Sequence, residues 1–389
     1  MAGGEEGARR EAVTRVLQGE PVGKVAADLG RTERWLRKWM QRYDPADEGW
    51  AEGRSRAPKT VANRTSAETE AMVVEIRRRL MANPWAQVGS GAIAWELAKL
   101  GTEPPPVSTI ERILARADVP KRRSRPDKYV PKGTPYPVHP VLIGPNAWQE
   151  ADLVGPRHLE GAIPFYALNA IDIGRRKAAI EIIPSKEERE IASGLVRIWS
   201  RLGIPGGVKF DNGQSFQGSA GHLSMAVRLA VSVGVRVRFI PFSEPWRNPV
   251  VEHFNDVFDK RFFRTQRFRD PDHLREQAAV FEAFHNAHHR YSALHRATPD
   301  EREAKLAFIP RLLDPATALP TELPPRGLVE FVRLIRSDRL LKVLDAKIAM
   351  PEELVHRYVT ATLYLRTHRL VVQAHGQLFR MEMPFRLKP

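Results

Sequence analysis

Apolar positions in the first 43 residues recur at helical spacing and predict three short helices, over 8–19, 22–29 and from Thr32 to Tyr43. Gly30 suits the left-handed position that ends the second helix. Thr32 is a favoured N-cap for the third. Val25, Leu29, Leu36 and Trp39 fall where the last two helices face each other, which leaves Arg31, Arg34, Arg37 and Lys38 outside. This is a helix-turn-helix pattern, with its last helix offered to a DNA major groove. A second helical group follows a polar stretch. Thr65-Ser66-Ala67-Glu68 reads as a capping box for a helix to about residue 81. A second helix over 91–100 closes at Gly101, and Ser108-Thr109-Ile110-Glu111 reads as a capping box for a third to 117. The last two again suggest a helix-turn-helix, with Arg112 and Arg116 outward.

From residue 147 the period shortens. Runs at 148–154, 164–172 and 177–183 predict three successive strands. A helix over 187–202, a strand over 208–211, a helix over 222–233 and a strand over 235–240 follow, then helices over 250–263 and 272–291. That order predicts a mixed α/β sheet with helices on both faces. Beyond a proline-rich stretch, short β-branched runs at 329–335, 342–344, 358–365, 369–374 and 377–381 predict a small basic β-barrel. Its last two strands would form a hairpin about His375-Gly376-Gln377. The expected fold class is therefore α/β multidomain. It comprises a helix-turn-helix domain (1–44), a linker (45–65), a second helical helix-turn-helix-like domain (66–118) and a basic linker (119–146). A mixed-sheet core (147–300), a linker (301–327) and a small β-barrel DNA-binding domain (328–389) complete it.

Composition narrows the chemistry. The chain has 389 residues, 42% of them hydrophobic, enough for real cores. No apolar run reaches the roughly 18 residues of a transmembrane helix, so no membrane partner is expected. The start, Met1-Ala2-Gly3-Gly4-Glu5-Glu6, lacks the basic and apolar stretches of a secretory signal. There are no cysteines, which excludes thiolate catalysis and Cys-type zinc sites and suits a reducing cytoplasm. The net charge of +15 is uneven. Residues 1–135 carry 25 Lys and Arg against 18 Asp and Glu, and residues 326–389 carry 12 against 6. Basic ends around a nearly neutral centre point to a polyanionic partner. In the connector, Lys121, Arg122, Arg123 and Arg125 could lie along a DNA backbone.

Three carboxylates stand in apolar contexts at element ends: Asp152 on the first core strand, Asp211 ending the fourth, and Glu252 near a helix start after the fifth. Converging, they would suit a pair of hard divalent cations for phosphoryl transfer. Glu150 shares the strand face of Asp152, Asp172 ends the second strand where it could meet the same edge, and Asp256 lies one turn past Glu252. All three rank below the chosen trio. His285, His288, His289 and His295 raise zinc, since His285 and His289 are one helical turn apart, but no acidic partner completes a ligand set.

These motifs resemble those of the integrase-like DDE transposases of bacterial insertion sequences, relatives of retroviral integrases. The resemblance rests on the N-terminal helix-turn-helix units, the Trp148…Asp152 strand, and Asn169-Ala170-Ile171-Asp172 with Arg175. It rests further on Phe210-Asp211-Asn212-Gly213-Gln214-Ser215-Phe216 and on Asn248…Glu252-His253-Phe254-Asn255. His285-Asn286…Arg290-Tyr291-Ser292-Ala293-Leu294 and Thr298-Pro299 complete it. It implies a ribonuclease-H-like integrase catalytic core with Asp152, Asp211 and Glu252 holding two Mg²⁺ or Mn²⁺ ions. It also implies nicking at element ends and joining of the freed 3′-hydroxyl to target DNA. The expected partner is double-stranded DNA, bound by at least a dimer in the cytoplasm, at the nucleoid. Two alternatives are a noncatalytic helix-turn-helix regulator derived from a transposase and a ribonuclease-H-type nuclease without strand transfer.

Overall fold

Ion pairs one helical turn apart, Arg9–Glu5 at 3.6 Å and Arg10–Glu6 at 3.0 Å, line the first helix, α1 (Ala2–Leu17). It starts six residues earlier than its apolar pattern suggests. α2 (Val22–Asp28) ends at a turn in which Gly30 takes φ 63°. α3 (Glu33–Met40) is opened by Thr32, whose hydroxyl accepts the Trp35 N–H at 3.2 Å. Ala12, Val13, Val25, Ala26, Leu36 and Trp39 form their common core. The computed structural model describes residues 2–53, 65–117, 136, 144–219, 221–374 and 379–387. It divides into two compact units, Met1–Thr65 and Ser66–Pro389.

The second unit begins with α4 (Ala67–Ala82), α5 (Ser90–Lys99) and α6 (Val107–Arg116), packed about Val73, Ile93, Leu97, Ile110 and Ile113. Ser66 caps α4 through the Thr69 N–H. The capping box expected at Ser108 does not form. Pro106 is the N-cap of α6 and Ser108 lies inside the helix, because the extended backbone of Pro106 already sets the first turn.

The core strands are β1 (Trp148–His158), β2 (Pro164–Asp172), β3 (Ala178–Ile183), β4 (Gly207–Phe210) and β5 (Arg236–Phe239). α7 (Glu188–Leu202), the short α8 (Gln214–Gln217) and α9 (Met225–Ser232) lie between them. α9 starts three residues later than its apolar run, where the Ser224 hydroxyl accepts the Val227 N–H. α10 (Pro249–Val257) widens into a π-helical turn at Phe258–Phe262, which directs both phenyl rings inward. α11 (Pro271–His288) and α12 (Pro299–Leu306) follow. One core layer, with Leu168, Ala170, Val208 and Phe210, lies under α7 and α9. The other, with Ala167, Ile171, Phe254, Phe258 and Phe281, lies under α10 and α11. Trp85 of the helical group packs against Phe281 and Phe284, with ring centroids 5.6 and 5.5 Å away.

The tail differs from the expected separate barrel. β6 (Leu328–Leu334), β9 (Tyr358–Tyr364), β10 (Arg369–Ala374) and β11 (Arg380–Pro384) extend the core sheet, while β7 (Leu340–Val343) and β8 (Ala346–Ala349) pair apart. The nine-stranded order is β11-β10-β9-β6-β5-β4-β1-β2-β3. The physical reason is the edge of β5, which would otherwise offer unpaired backbone groups. β6 covers that edge in parallel register, stacks Phe331 on Phe239 at 5.2 Å, and pairs Glu330 with Arg236 at 2.6 Å. The expected hairpin strands do pair, and its turn lies outside the described residues. Deleting residues 328–389 is therefore expected to give insoluble protein by uncovering β5 and its core face. A soluble, cooperatively melting truncation on calorimetry would show the tail to be dispensable for folding.

Candidate active site

β1 lies between β2 and β4, so alternate side chains face the two helical layers. Ala151 joins the core under α7, which turns Glu150 and Asp152 towards α10. On β4, Val208 and Phe210 enter that same core, which turns Lys209 and Asp211 towards α10 as well. β1 and β4 are parallel with Glu150 opposite Lys209. Asp152 and Asp211 each lie two residues further on, Asp211 just past the end of β4, near enough for its charge to act on Asp152.

The two aspartates share one electrostatic environment. Burial pushes both carboxyls above the ordinary aspartate range, and the Asp211 charge pushes Asp152 further. Hydrogen bonds partly oppose this. Asn255 Nδ2 donates to Asp152 Oδ2 at 2.6 Å, and the Gly213 N–H donates to Asp211 Oδ1 at 3.0 Å. Asn255 is fixed in turn by Asn169 Nδ2, which donates to its Oδ1 at 2.8 Å. Asn169 is the cross-strand partner of Asp152 on β2.

Glu252 occupies the exposed first turn of α10, three residues before Asn255 and on the same side of the helix. The structure thus pairs Asp152 with Asp211 and places Glu252 on the helix that touches Asp152. Among the described residues, no group of three or more His, Asp or Glu stands close enough to hold a metal ion.

Glu150 has a positioning role that its rank as a rival to Asp152 missed. It is 1% exposed, pairs with Lys209 Nζ at 2.6 Å, and accepts the Val250 and Val251 N–H groups at 2.9 and 3.0 Å. A negative charge at the start of α10 also suits the helix dipole. Glu150 therefore latches the Glu252 helix onto the row of aspartates. The signal was legible: Glu150 precedes Asp152, and Lys209 precedes Asp211, by the same two residues.

Other sequence candidates have structural roles. Asp172 does not meet Asp152: antiparallel pairing sets it opposite Gln149, three residues before Asp152 and on the other face of the sheet. It is fully buried, pairs with Arg175 and accepts the Asn146 N–H at 3.0 Å. Asp256 pairs with Lys260. His285 contacts the Tyr291 hydroxyl at 2.9 Å and stacks on His289, and burial pushes both histidines down, His289 to about 3. Neutral, mutually packed rings explain their spacing without zinc. Asn286 exchanges two 2.9 Å hydrogen bonds with the Ala178 backbone, clamping α11 to β3.

Of the candidate DNA contacts, Arg34, Arg37 and Lys38 are exposed on α3, and Arg37 pairs with Glu33 at 2.7 Å. Arg31 pairs with Glu5 and lies over Trp35, so it is partly occupied within its own domain. Arg112 donates to Thr109 at 3.0 Å, and Arg116 ties α6 to Glu70 of α4 at 2.6 Å. Lys121, Arg122, Arg123 and Arg125 lie outside the described residues. No helix among the described residues is long and apolar enough to cross a membrane.

Residues 5–53 match a homeodomain-like domain family, in agreement with the three helices of the first unit. No curated protein sequence matches the chain. Among solved structures, the chain is similar to the HTLV-2 integrase catalytic core domain in complex with magnesium. Its trimeric form is 13% identical, covers 41% of this chain and 97% of that one, and gives a TM-score of 0.32. The dimeric form is 15% identical, with 40% and 95% covered and a TM-score of 0.31. The simian T-cell lymphotropic virus intasome in complex with the PP2A regulatory subunit B56 gamma is 14% identical, with 77% and 93% covered and a TM-score of 0.37.

Proposed function

We propose that the chain is a DDE transposase or integrase: it binds the terminal repeats of a DNA element, nicks there, and joins the 3′-hydroxyl ends to target DNA. The observation that carries this is the Asp152–Asp211 pair, crowded on neighbouring parallel strands beside a helix that bears Glu252. Two buried hard oxygen donors, one raising the proton affinity of the other, suit a hard divalent cation. Asp152 and Asp211 would hold it, with Glu252 the third donor of this reading. Two Mg²⁺ or Mn²⁺ ions would lower the pKa of the attacking water or 3′-hydroxyl and offset charge on the leaving oxygen.

The chain's own residues do the positioning. Asn255 orients the Asp152 carboxylate, Gly213 orients Asp211, and Glu150 holds α10 in place. Arg34, Arg37 and Lys38 of the homeodomain-like unit would read or grip duplex DNA. Coupling two element ends requires at least a dimer on DNA. The cytoplasm, where the nucleoid lies, is the matching location.

The test is a nicking and joining assay on supercoiled plasmid and pre-nicked ends, with and without Mg²⁺. Metal-dependent nicks and joined products are expected, and absence of both under conditions where the chain binds DNA would overturn the catalytic assignment. That no three His, Asp or Glu residues stand close enough to hold a metal ion among the described residues favours one second reading, a noncatalytic DNA-binding regulator. That reading requires DNA binding unaffected by metal and no strand scission. Under either reading, replacing Arg34 and Lys38 together by Ala is expected to weaken duplex binding about tenfold or more at moderate salt, read by fluorescence anisotropy.

A further inference from the structure

We propose that the cleft lined by the start of α5 and by the segment that follows α11 seats a phosphate of the DNA backbone, an inference that rests on the DNA-acting function above. The cleft encloses about 630 Å³ and is lined by Arg77, Arg261, Arg290 and Arg296, with Glu111 its one carboxylate. Arginine forks match phosphate oxygens in pairs; with the Arg290 fork engaged by Glu301, the other three line a concavity that suits a phosphate.

The walls are built, not incidental. Gln87 donates to the Arg290 carbonyl at 3.0 Å and accepts the Arg290 N–H at 2.7 Å, which fixes one side against the other. Arg290 is held over the Trp95 ring at 4.0 Å and by Glu301 at 2.7 Å. Arg261 donates to the Trp85 carbonyl at 3.3 Å. Arg296 is presented by a backbone turned left-handed at two successive residues, His295 and Arg296, with φ 52° and 67°. Its guanidinium lies against Gly91, where a Cβ would stand 2.1 Å from Nη1 and displace it. The first turn of α5 faces the same space, and its N-cap, Gly89, brings no capping side chain. Backbone N–H groups there add to the anion preference of the arginines. Arg296 is exposed, so a strand lying across the mouth can reach it.

The test uses the full chain and a fluorescent 30-base-pair duplex titrated at several salt concentrations. Arg296→Ala is expected to lower the slope of log affinity against log salt by about 0.9 and to weaken binding about five- to tenfold at 0.1 M salt, whatever the DNA sequence. Arg296→Glu is expected to weaken it further, and both variants should melt with the parent because the side chain is exposed. If the parent binds no duplex, the DNA-acting function itself fails. If the parent binds and both variants keep its slope and affinity, the cleft assignment is overturned while that function stands. A third arm adds inorganic pyrophosphate. If it raises the melting temperature of the parent but not of Arg296→Glu while the DNA slopes agree, the cleft takes a small phosphate ligand and the DNA seat is overturned.

Discussion

An Asp211→Asn variant is expected to lose metal-dependent nicking down to background while melting above the parent in EDTA. The cause is the raised proton affinity of Asp152 and Asp211 in the fold. Between the ordinary aspartate range and the raised values, the folded state binds more protons than the unfolded one. Stability of the metal-free parent therefore falls as pH rises through that window, and the cost is complete above it. Asparagine carries no charge, so the variant loses its own cost and relieves the repulsion on Asp152. In a chain of this size each kcal/mol recovered raises the melting temperature by about 1–1.5 °C. Metal should reverse the order. At a hundredfold excess over its Kd, a bound ion adds about 2.7 kcal/mol to the parent and little to the variant. Melting curves across pH, with and without Mg²⁺, provide the check. Equal pH slopes in parent and variant, or nicking that survives in the variant, would remove Asp211 from the site.

Glu150→Ala is expected to have the larger effect on the fold. It leaves the half-buried Lys209 without its carboxylate and uncaps two N–H groups of α10. Breaking a buried ion pair from one side costs about 3–5 kcal/mol, to be read from urea unfolding. Glu150→Gln still offers an oxygen to Val250 and Val251, so it should cost less and retain part of the nicking activity. A merely structural Glu150 would change stability alone. A positioning Glu150 also raises the Mg²⁺ concentration needed for half-maximal nicking, because α10 carries both Glu252 and Asn255. Replacing Glu150 and Lys209 together by Met should recover much of the stability, since the pair's desolvation cost disappears with it, but not the metal response. Equal metal dependence in the parent and in Glu150→Gln and Glu150→Ala would reduce Glu150 to a packing role.

Local chemistry made much of this molecule legible. The helix starts at Thr32 and Ser66 follow from hydroxyls that accept an N–H within one turn, and the core strands from short, nearly continuous apolar runs. The apolar contexts of Asp152 within a strand and of Asp211 just past one were equally local. The tail shows where such reasoning stops. Its β-branched runs specify strands, but which edge they cover depends on β5 lying exposed some 90 residues earlier in the chain, a fact of sheet order. The apparent capping box at Ser108 failed because Pro106 set the turn first.

By itself, then, the sequence determined the homeodomain-like helices, the apolar core strands and the identity of the crowded aspartates, because each depends on neighbours within about one turn or one strand. Only tertiary structure decided that Asp172 lies on the other face of the sheet from Asp152, that His285 and His289 are neutral packing rings, and that Glu150 is a latch. Those outcomes depend on strand direction and on desolvation, which arise only once distant segments pack and exclude water.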